Sequence, residues 1–366
     1  MTTVDFGLLF EIGVPKPWDD RSEYRAYWNA LEQAKTAEDS GFSHIWAVEH
    51  HFLEEFSHCS APEVWLTAVA QHTSRIRIGH GVVLVPSPFN HPVRVAERVA
   101  ALDIMSNGRV EFGAGRSITR EELGGFNIDS GDSRPMLLEG LEQVVSLWTR
   151  GEAPATLDGT YTTMPPRPVF PRPLQQPHPP LWMASTSPDT YELAGKHGCG
   201  VLAFGWAIDP PALKRQIGKY RAALHSTDHG DRPVNDRVAV FLMGLCLEDE
   251  DEAKEKARDP FTYYMDASAE FFLQWGRGGT MPPGYEWYAE ASTHSAAVAE
   301  RQKFDYLVDN GMALVGRPQT VIDVVETYRA VGADQIIVGS QLGAMAHDDV
   351  LRSLRLMGDQ VLPKFR

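Results

Sequence analysis

Short β-branched runs alternate with longer amphipathic segments along this chain, and the alternation repeats eight times. Strands are expected near residues 4–10, 44–49, 75–85, 110–113, 181–184, 200–204, 237–247 and 335–339. Helices are expected near 21–40, 61–73, 92–106, 135–149, 188–197, 211–224, from 248 onward, and at 347–362. Punctuation supports these limits: Gly41 and Asn107-Gly108 are helix stops, and Pro62 suits a first helical turn. Eight strand–helix units match a (β/α)8 TIM barrel with insertions. A doubly wound sheet fits the alternation too, usually with fewer strands.

Two segments interrupt the rhythm. Residues 151–180 include eight prolines between Pro165 and Pro180, which exclude a helix or a central strand. Residues 265–312 combine Gly276, Gly278, Gly279 and Gly284 with Trp275, Trp287 and Tyr288, and read as a long loop that could act as a lid. With these as insertions, residues 1–366 are expected to form one barrel domain rather than the two that length alone suggests.

Composition narrows the partners. Of 366 residues, 34 are Lys or Arg and 49 Asp or Glu, a net charge of −15 that disfavours nucleic acid and anionic membranes. No apolar run approaches a membrane span. Cys59, Cys199 and Cys246 have no metal or disulfide spacing, so a reducing cytoplasm is expected.

In a barrel the chemistry gathers where strands end at their C-terminal side. Strand two ends in Glu49-His50-His51, a possible acid–base cluster. Adjacent residues of a strand face opposite ways, so Glu49 and His51 share a side and a three-ligand metal site is not expected. A hydrogen-bonded His pair in a loop is the plainer alternative. Strand three carries His80-Gly81-Val82. Strand four ends in Gly113-Ala114-Gly115-Arg116-Ser117, where small residues let a planar ring approach and Arg116 can meet an anion. Strand five ends in Ala184-Ser185-Thr186-Ser187 ahead of Pro188, either an anion cradle at a helix start or an ordinary N-cap. Strand six ends beside Trp206. No GxGxxG behind the first strand, GxxxxGK[ST], GxSxG or HExxH is present. The composite suggests a phosphorylated planar cofactor.

With these residues on view, the chain resembles the bacterial luciferase-like flavin monooxygenase family along nearly its whole length. The resemblance rests on Gly41-Phe42 through Trp46-Ala47-Val48-Glu49-His50-His51-Phe52, on His91-Pro92-Val93-Arg94, on the run from Leu102 to Gly113, and on Val315-Gly316-Arg317-Pro318. It implies a barrel that binds reduced FMN, or in some branches the deazaflavin F420, at its C-terminal mouth. His50 then matches the base of the oxygen chemistry, with Glu49 and His51 beside it. Gly81 and Val82, joined by a cis peptide, would underlie the ring with His80 and Gly115 close by. Arg116, Ser117 and the turn from Ala184 to Ser187 would hold the phosphate. Phe10, Trp206 and Trp275 would border the substrate.

The implied function is a two-component FMN-dependent monooxygenase. A flavin reductase supplies FMNH2, and O2 oxygenates a small, largely apolar organic substrate. A homodimer is the family expectation. An F420-dependent dehydrogenase and a non-catalytic flavin-binding protein are the alternatives. Two departures stand out: Gly115 replaces luciferase's reactive cysteine, and Ser185 replaces a Glu, so light emission is not expected.

Overall fold

The computed structural model describes residues 3–275, 283–287 and 303–366. Eight parallel strands close a barrel: β1 (Asp5–Phe10), β2 (His44–Ala47), β3 (Arg77–Leu84), β4 (Val110–Gly115), β7 (Leu181–Ser185), β8 (Gly200–Phe204), β9 (Val238–Cys246) and β11 (Gln335–Gln341). Closure is made by β8 on β9, β9 on β11 and β11 on β1. Helices cover the outside, so strands read as continuous apolar runs; all nine residues of β9 are buried. This is the expected (β/α)8 architecture.

Proline sets the helix starts. Among the outer helices, α2 (Pro62–His72), α3 (Pro92–Met105), α6 (Pro188–Lys196) and α7 (Pro210–Ser226) each open on a proline whose missing N–H would have no partner there. The remaining outer helices include α1 (Ser22–Asp39), α5 (Ser133–Thr149), α8 (Glu250–Leu273) and a last helix (His347–Leu356). Asn107 and Gly108, at φ 57° and 77°, turn the chain from α3 into β4.

Several boundaries differ from expectation. Strand β2 stops at Ala47, so Glu49, His50 and His51 lie on the following loop. Strand β4 continues to Gly115, and a short helix α4 (Arg120–Gly125) follows it. The proline-rich excursion contains an antiparallel hairpin, β5 (Ala155–Asp158) with β6 (Thr163–Arg167), in which Pro165 and Pro166 sit in an outer strand that has only one partner. A short strand β10 (Leu314–Gly316) pairs with β9. The closing helix ends at Leu356 and passes through a π-helical turn at Met357–Val361.

The largest difference is at residue 265, expected to begin a loop. Helix α8 runs unbroken from Glu250 to Leu273 despite Pro260, because Asp249 caps its first amides and its buried face packs on the barrel. Most of the rest of the expected 265–312 insertion lies outside the described residues, including Gly276, Gly278, Gly279 and Tyr288. Among the described residues no helix is long and apolar enough to cross a membrane.

Candidate active site

Period-two alternation on β1 decides what faces the barrel mouth. Leu9 and Glu11 line a cavity there, whereas Phe10 points outward and packs its ring 4.7 Å from Trp65 of α2. Phe10 is therefore core, not pocket, correcting its expected role. The cavity encloses roughly 1220 Å³ of atom-free space with its open mouth included. Its walls are largely apolar: Trp46, Leu84, Leu202, Phe241, and from α8 Tyr264, Phe271 and Phe272.

His50 enters this cavity, and Glu122 of α4 holds it. Thr119 is the N-cap of α4: its Oγ1 accepts from the Glu122 N–H at 3.1 Å and donates to Glu122 Oε2 at 2.8 Å, while its own N–H goes to Ser117 Oγ at 3.1 Å. Ser117 Oγ donates to the same oxygen at 2.6 Å. The other carboxylate oxygen meets the His51 N–H at 2.9 Å and His50 Nδ1 at 3.0 Å. Burial alone depresses an imidazole, but the charge and hydrogen bond of Glu122, with Glu11 and Glu49 beyond it, raise His50 to about 9. Burial likewise pushes Glu122 up, yet His50 and the hydrogen-bond donors pull it down to about 2. Nδ1 is committed to Glu122, which leaves Nε2 toward the cavity on a ring whose protonated form is favoured.

Opposite it stands Glu11, only 4% exposed. Its Oε1 accepts from the Tyr264 hydroxyl at 3.1 Å. Among the described residues its Oε2 has no hydrogen-bond partner, and it lies 3.9 Å from His50 Nε2. Burial raises the Glu11 pKa; His50 and Tyr264 draw it back.

Glu49 lines the cavity but does not orient His50. It accepts from the Leu84 N–H at 2.8 Å, Asn90 Nδ2 at 2.7 Å and His51 Nε2 at 3.1 Å. The Glu49–His51 contact is made on the loop, since strand β2 ends at Ala47 and strand alternation does not reach these residues. His51 stays outside the cavity wall, its ring 5.0 Å from Phe126 and stacked 6.3 Å from Phe89. Among the described residues no three His, Cys, Asp or Glu side chains gather as a metal-holding set.

A second end of the cavity is cationic. Arg116 lines it, donating to Ser133 Oγ at 2.8 Å and to the Gly284 carbonyl at 2.6 Å, with its guanidinium over the Tyr285 ring at 4.2 Å. Arg134, which sequence reasoning did not select, flanks the same glycine; among the described residues its buried Nε has no partner, and Nη1 lies 3.8 Å from Asp189 in the first turn of α6. Ala184 and Thr186, ahead of that helix, line the cavity together with Arg116. Ser185 and Ser187 do not: the Ser185 hydroxyl bonds the Met183 and Thr190 carbonyls, and the Ser187 hydroxyl meets Thr190 Oγ1 at 3.4 Å. These two serve the turn, correcting their expected roles. Ser117, at φ 69°, borders the cavity but spends its hydroxyl on Glu122.

Between the two ends lies a slot floored by Gly81 and Val82, joined by a cis peptide as expected, with Gly115 beside them. A Cβ on Gly115 would meet Val82 Cγ2 at 2.3 Å, and one on Gly113 would meet the His80 carbonyl at 2.2 Å. Gly113 thus permits strand approach rather than ring approach. His80 points away from the slot: its ring is 1% exposed, both nitrogens lack partners, and burial depresses it to about 4. It is a neutral core residue, not a cofactor contact.

Trp206 lines the cavity with an unpartnered Nε1 and meets Tyr264 edge-on. Trp275 does not line it. It stacks 3.9 Å from Tyr285 and donates to the Ile118 carbonyl at 2.8 Å, in a small core with Leu123 and Ile128 that backs the Arg116 side.

Sequence reasoning missed Glu11, Glu122, Arg134 and Tyr264. Thr119-x-x-Glu122 was legible as a helix-start signature, and Glu11 as the inward partner of Leu9. Nothing in the sequence marks Tyr264.

A family model described as luciferase-like monooxygenase matches residues 7–335. The oxygenase component of the flavin-dependent trigonelline monooxygenase of Acinetobacter baylyi is 26% identical over 351 residues, covering 95% of this chain and 92% of that one. The oxygenating constituent of 3,6-diketocamphane monooxygenase from Pseudomonas putida, solved with FMN, superposes with a TM-score of 0.79 at 21% identity, over 100% of this chain and 99% of that one. An F420-dependent secondary alcohol dehydrogenase superposes with a TM-score of 0.73 at 20% identity, over the whole of both chains.

Proposed function

The chain belongs to the luciferase-like monooxygenase family, and from that membership we propose that it is the oxygenase component of a two-component, FMN-dependent monooxygenase acting on a small, largely apolar organic substrate. The observation that carries this reading is the cavity's polarity. Apolar walls beside Gly81, Val82 and Gly115 give way to Arg116 and to Thr186 and Thr190 at a helix start, with Arg134 beside Gly284 and its buried Nε without a hydrogen bond among the described residues. That gradient fits a planar ring with one phosphate. Arg116, Arg134, Thr186 and the first turn of α6 would hold the phosphate; Gly81, Val82 and Gly115 would bear the ring.

Bound and reduced, FMN supplies the electrons with which O2 is activated. The chain contributes the surroundings. Aromatic side chains of α8 and Trp206 exclude water from the cavity. Glu122 keeps His50 protonated and aimed, so His50 donates a proton from Nε2 and recovers one afterwards. Glu122 is thus a positioning residue. The chain shows no nicotinamide-binding motif, which supports a separate flavin reductase as its partner.

The test is direct. With FMNH2 supplied by a reductase, the protein should bind FMN in preference to F420 and couple O2 uptake to an oxygenated product, seen by mass spectrometry. Preferential F420 binding with hydride transfer and no O2 uptake would favour a deazaflavin dehydrogenase instead.

A further inference from the structure

Charge buried in an apolar cavity without a partner is costly, so an unmatched atom there marks where a ligand completes the structure. Glu11 carries such an atom, its Oε2, whose facing cation His50 stands 3.9 Å away. Glu11 is 4% exposed, sits among Leu9, Phe56 and Phe241, and leaves Oε2 without a hydrogen bond among the described residues. Tyr264 occupies only the other oxygen, and the Tyr264 ring is itself fixed by stacking 5.0 Å from Phe56. Glu11 is therefore held in place.

The donor facing it is equally fixed. His50 Nδ1 is bound to Glu122, leaving Nε2 as its cavity-facing nitrogen. Nε2 and Glu11 Oε2 are 3.9 Å apart, too far to bond each other. An oxygen can lie about 2.8 Å from both at once. With the His50 ring protonated and Glu11 ionised, a group placed there accepts from Nε2 and donates to Oε2. A hydroxyl does both; a ketone only accepts, an ammonium only donates, and a hydrocarbon does neither.

We propose that Glu11 and His50 form a two-point seat for a hydroxyl group, and that the substrate is a ring-sized alcohol or phenol whose oxygen bridges Glu11 Oε2 and His50 Nε2. This rests on the monooxygenase reading for the identity of the reaction, but the seat itself is a matter of binding. Phe56, Tyr264 and Phe271 supply the apolar walls for the remainder of the molecule. Glu11 then selects the substrate and sets which part of it faces the slot.

Ligand-observed NMR titrations of the full chain, with and without oxidised FMN, test the seat using four molecules of one ring size: cyclohexanol, cyclohexanone, cyclohexylammonium and methylcyclohexane. Cyclohexanol should bind about 10-fold or more tightly than each of the others. In Glu11→Leu the preference of alcohol over ketone should vanish; in Glu11→Gln, which keeps volume but not charge, it should fall at least about threefold. Equal binding of alcohol and ketone by the wild type overturns the seat, as does tightest binding of the ammonium or an undiminished preference in both variants. Flavin fluorescence titration reads the cofactor separately. Alcohol preference without FMN binding would sink the flavin reading and leave the seat standing, and FMN binding without alcohol preference would do the reverse.

Discussion

At the N-terminal end of the barrel, Arg109 donates to five acceptors between 2.6 and 3.2 Å: the carbonyls of Ser106, Ile76, Ala70 and Thr73, and Thr73 Oγ1. Beside it Glu111 takes Arg77 on one oxygen and Trp182 Nε1 on the other. At the C-terminal mouth Glu11 keeps an oxygen with no hydrogen-bond partner among the described residues, facing an imidazole that leaves a nitrogen open. Both ends bury charge in one fold. The lower end spends its charge on the chain itself, whereas the upper end holds some in reserve. The run from Leu102 to Gly113, among the most family-specific stretches of sequence, lies mainly at the spent end. Its message is architectural, and it says little about the reaction.

If that contrast holds, changes at the mouth should cost function and changes at the base should cost stability. The largest effect expected is on turnover. His50→Gln, which still donates to Glu122, should lower kcat/KM by about 10²- to 10⁴-fold. It should cost only about 1–2 kcal/mol of stability in denaturant unfolding. A loss of stability larger than this, with turnover preserved, would break the comparison from above. Arg109→Ala should do the opposite, removing about 3–5 kcal/mol in the same unfolding assay by stranding four carbonyls, with FMN affinity of the folded fraction unchanged.

Smaller effects sharpen the picture within the mouth. Arg116→Ala should weaken FMN binding about 10- to 100-fold by fluorescence titration. Ser185→Ala and Ser187→Ala should change it by less than about threefold, because both hydroxyls serve their own turn. The His50–Glu122 pair also has a pH signature. His50 is raised to about 9, so its contribution is full below its unfolded value near 6.5 and is lost as pH climbs through 9. Glu122 is lowered to about 2, so its contribution is present above about 4.5 and is lost as pH falls through 2. The stability gap between wild type and His50→Gln should therefore be widest near pH 5–6 and close by pH 9–10 in thermal unfolding.

Much of the barrel was legible because strands, proline-led helices and Asn-Gly turns are local events. The anion end was legible through Arg116 and Thr186, since a cation and a helix start announce themselves. What escaped was long-range. Tyr264 meets Glu11 across 253 residues, and Arg134 joins Arg116 through a glycine 150 residues on. Ser185 and Ser187 misled because hydroxyls that cradle an anion and hydroxyls that tie a turn share one sequence. His80 misled for a related reason: alternation along β3 cannot tell a slot from a core when both faces are buried. A loop from 265 is what the glycines and aromatics beyond Trp275 suggest, whereas the helical face that carries α8 to Leu273 is revealed only by packing.

The fit of Val82 against Gly115 also bears on how this protein could change over generations. A cysteine at 115, as luciferase carries, would drive its Cβ to 2.3 Å from a methyl of a stiff, β-branched neighbour. That step is closed while Val82 remains. Val82→Ala first, at the expense of a small void, would open it, and the reverse order would not. A cysteine at 115 is therefore reached by way of a smaller residue at 82, and the order of the two changes matters.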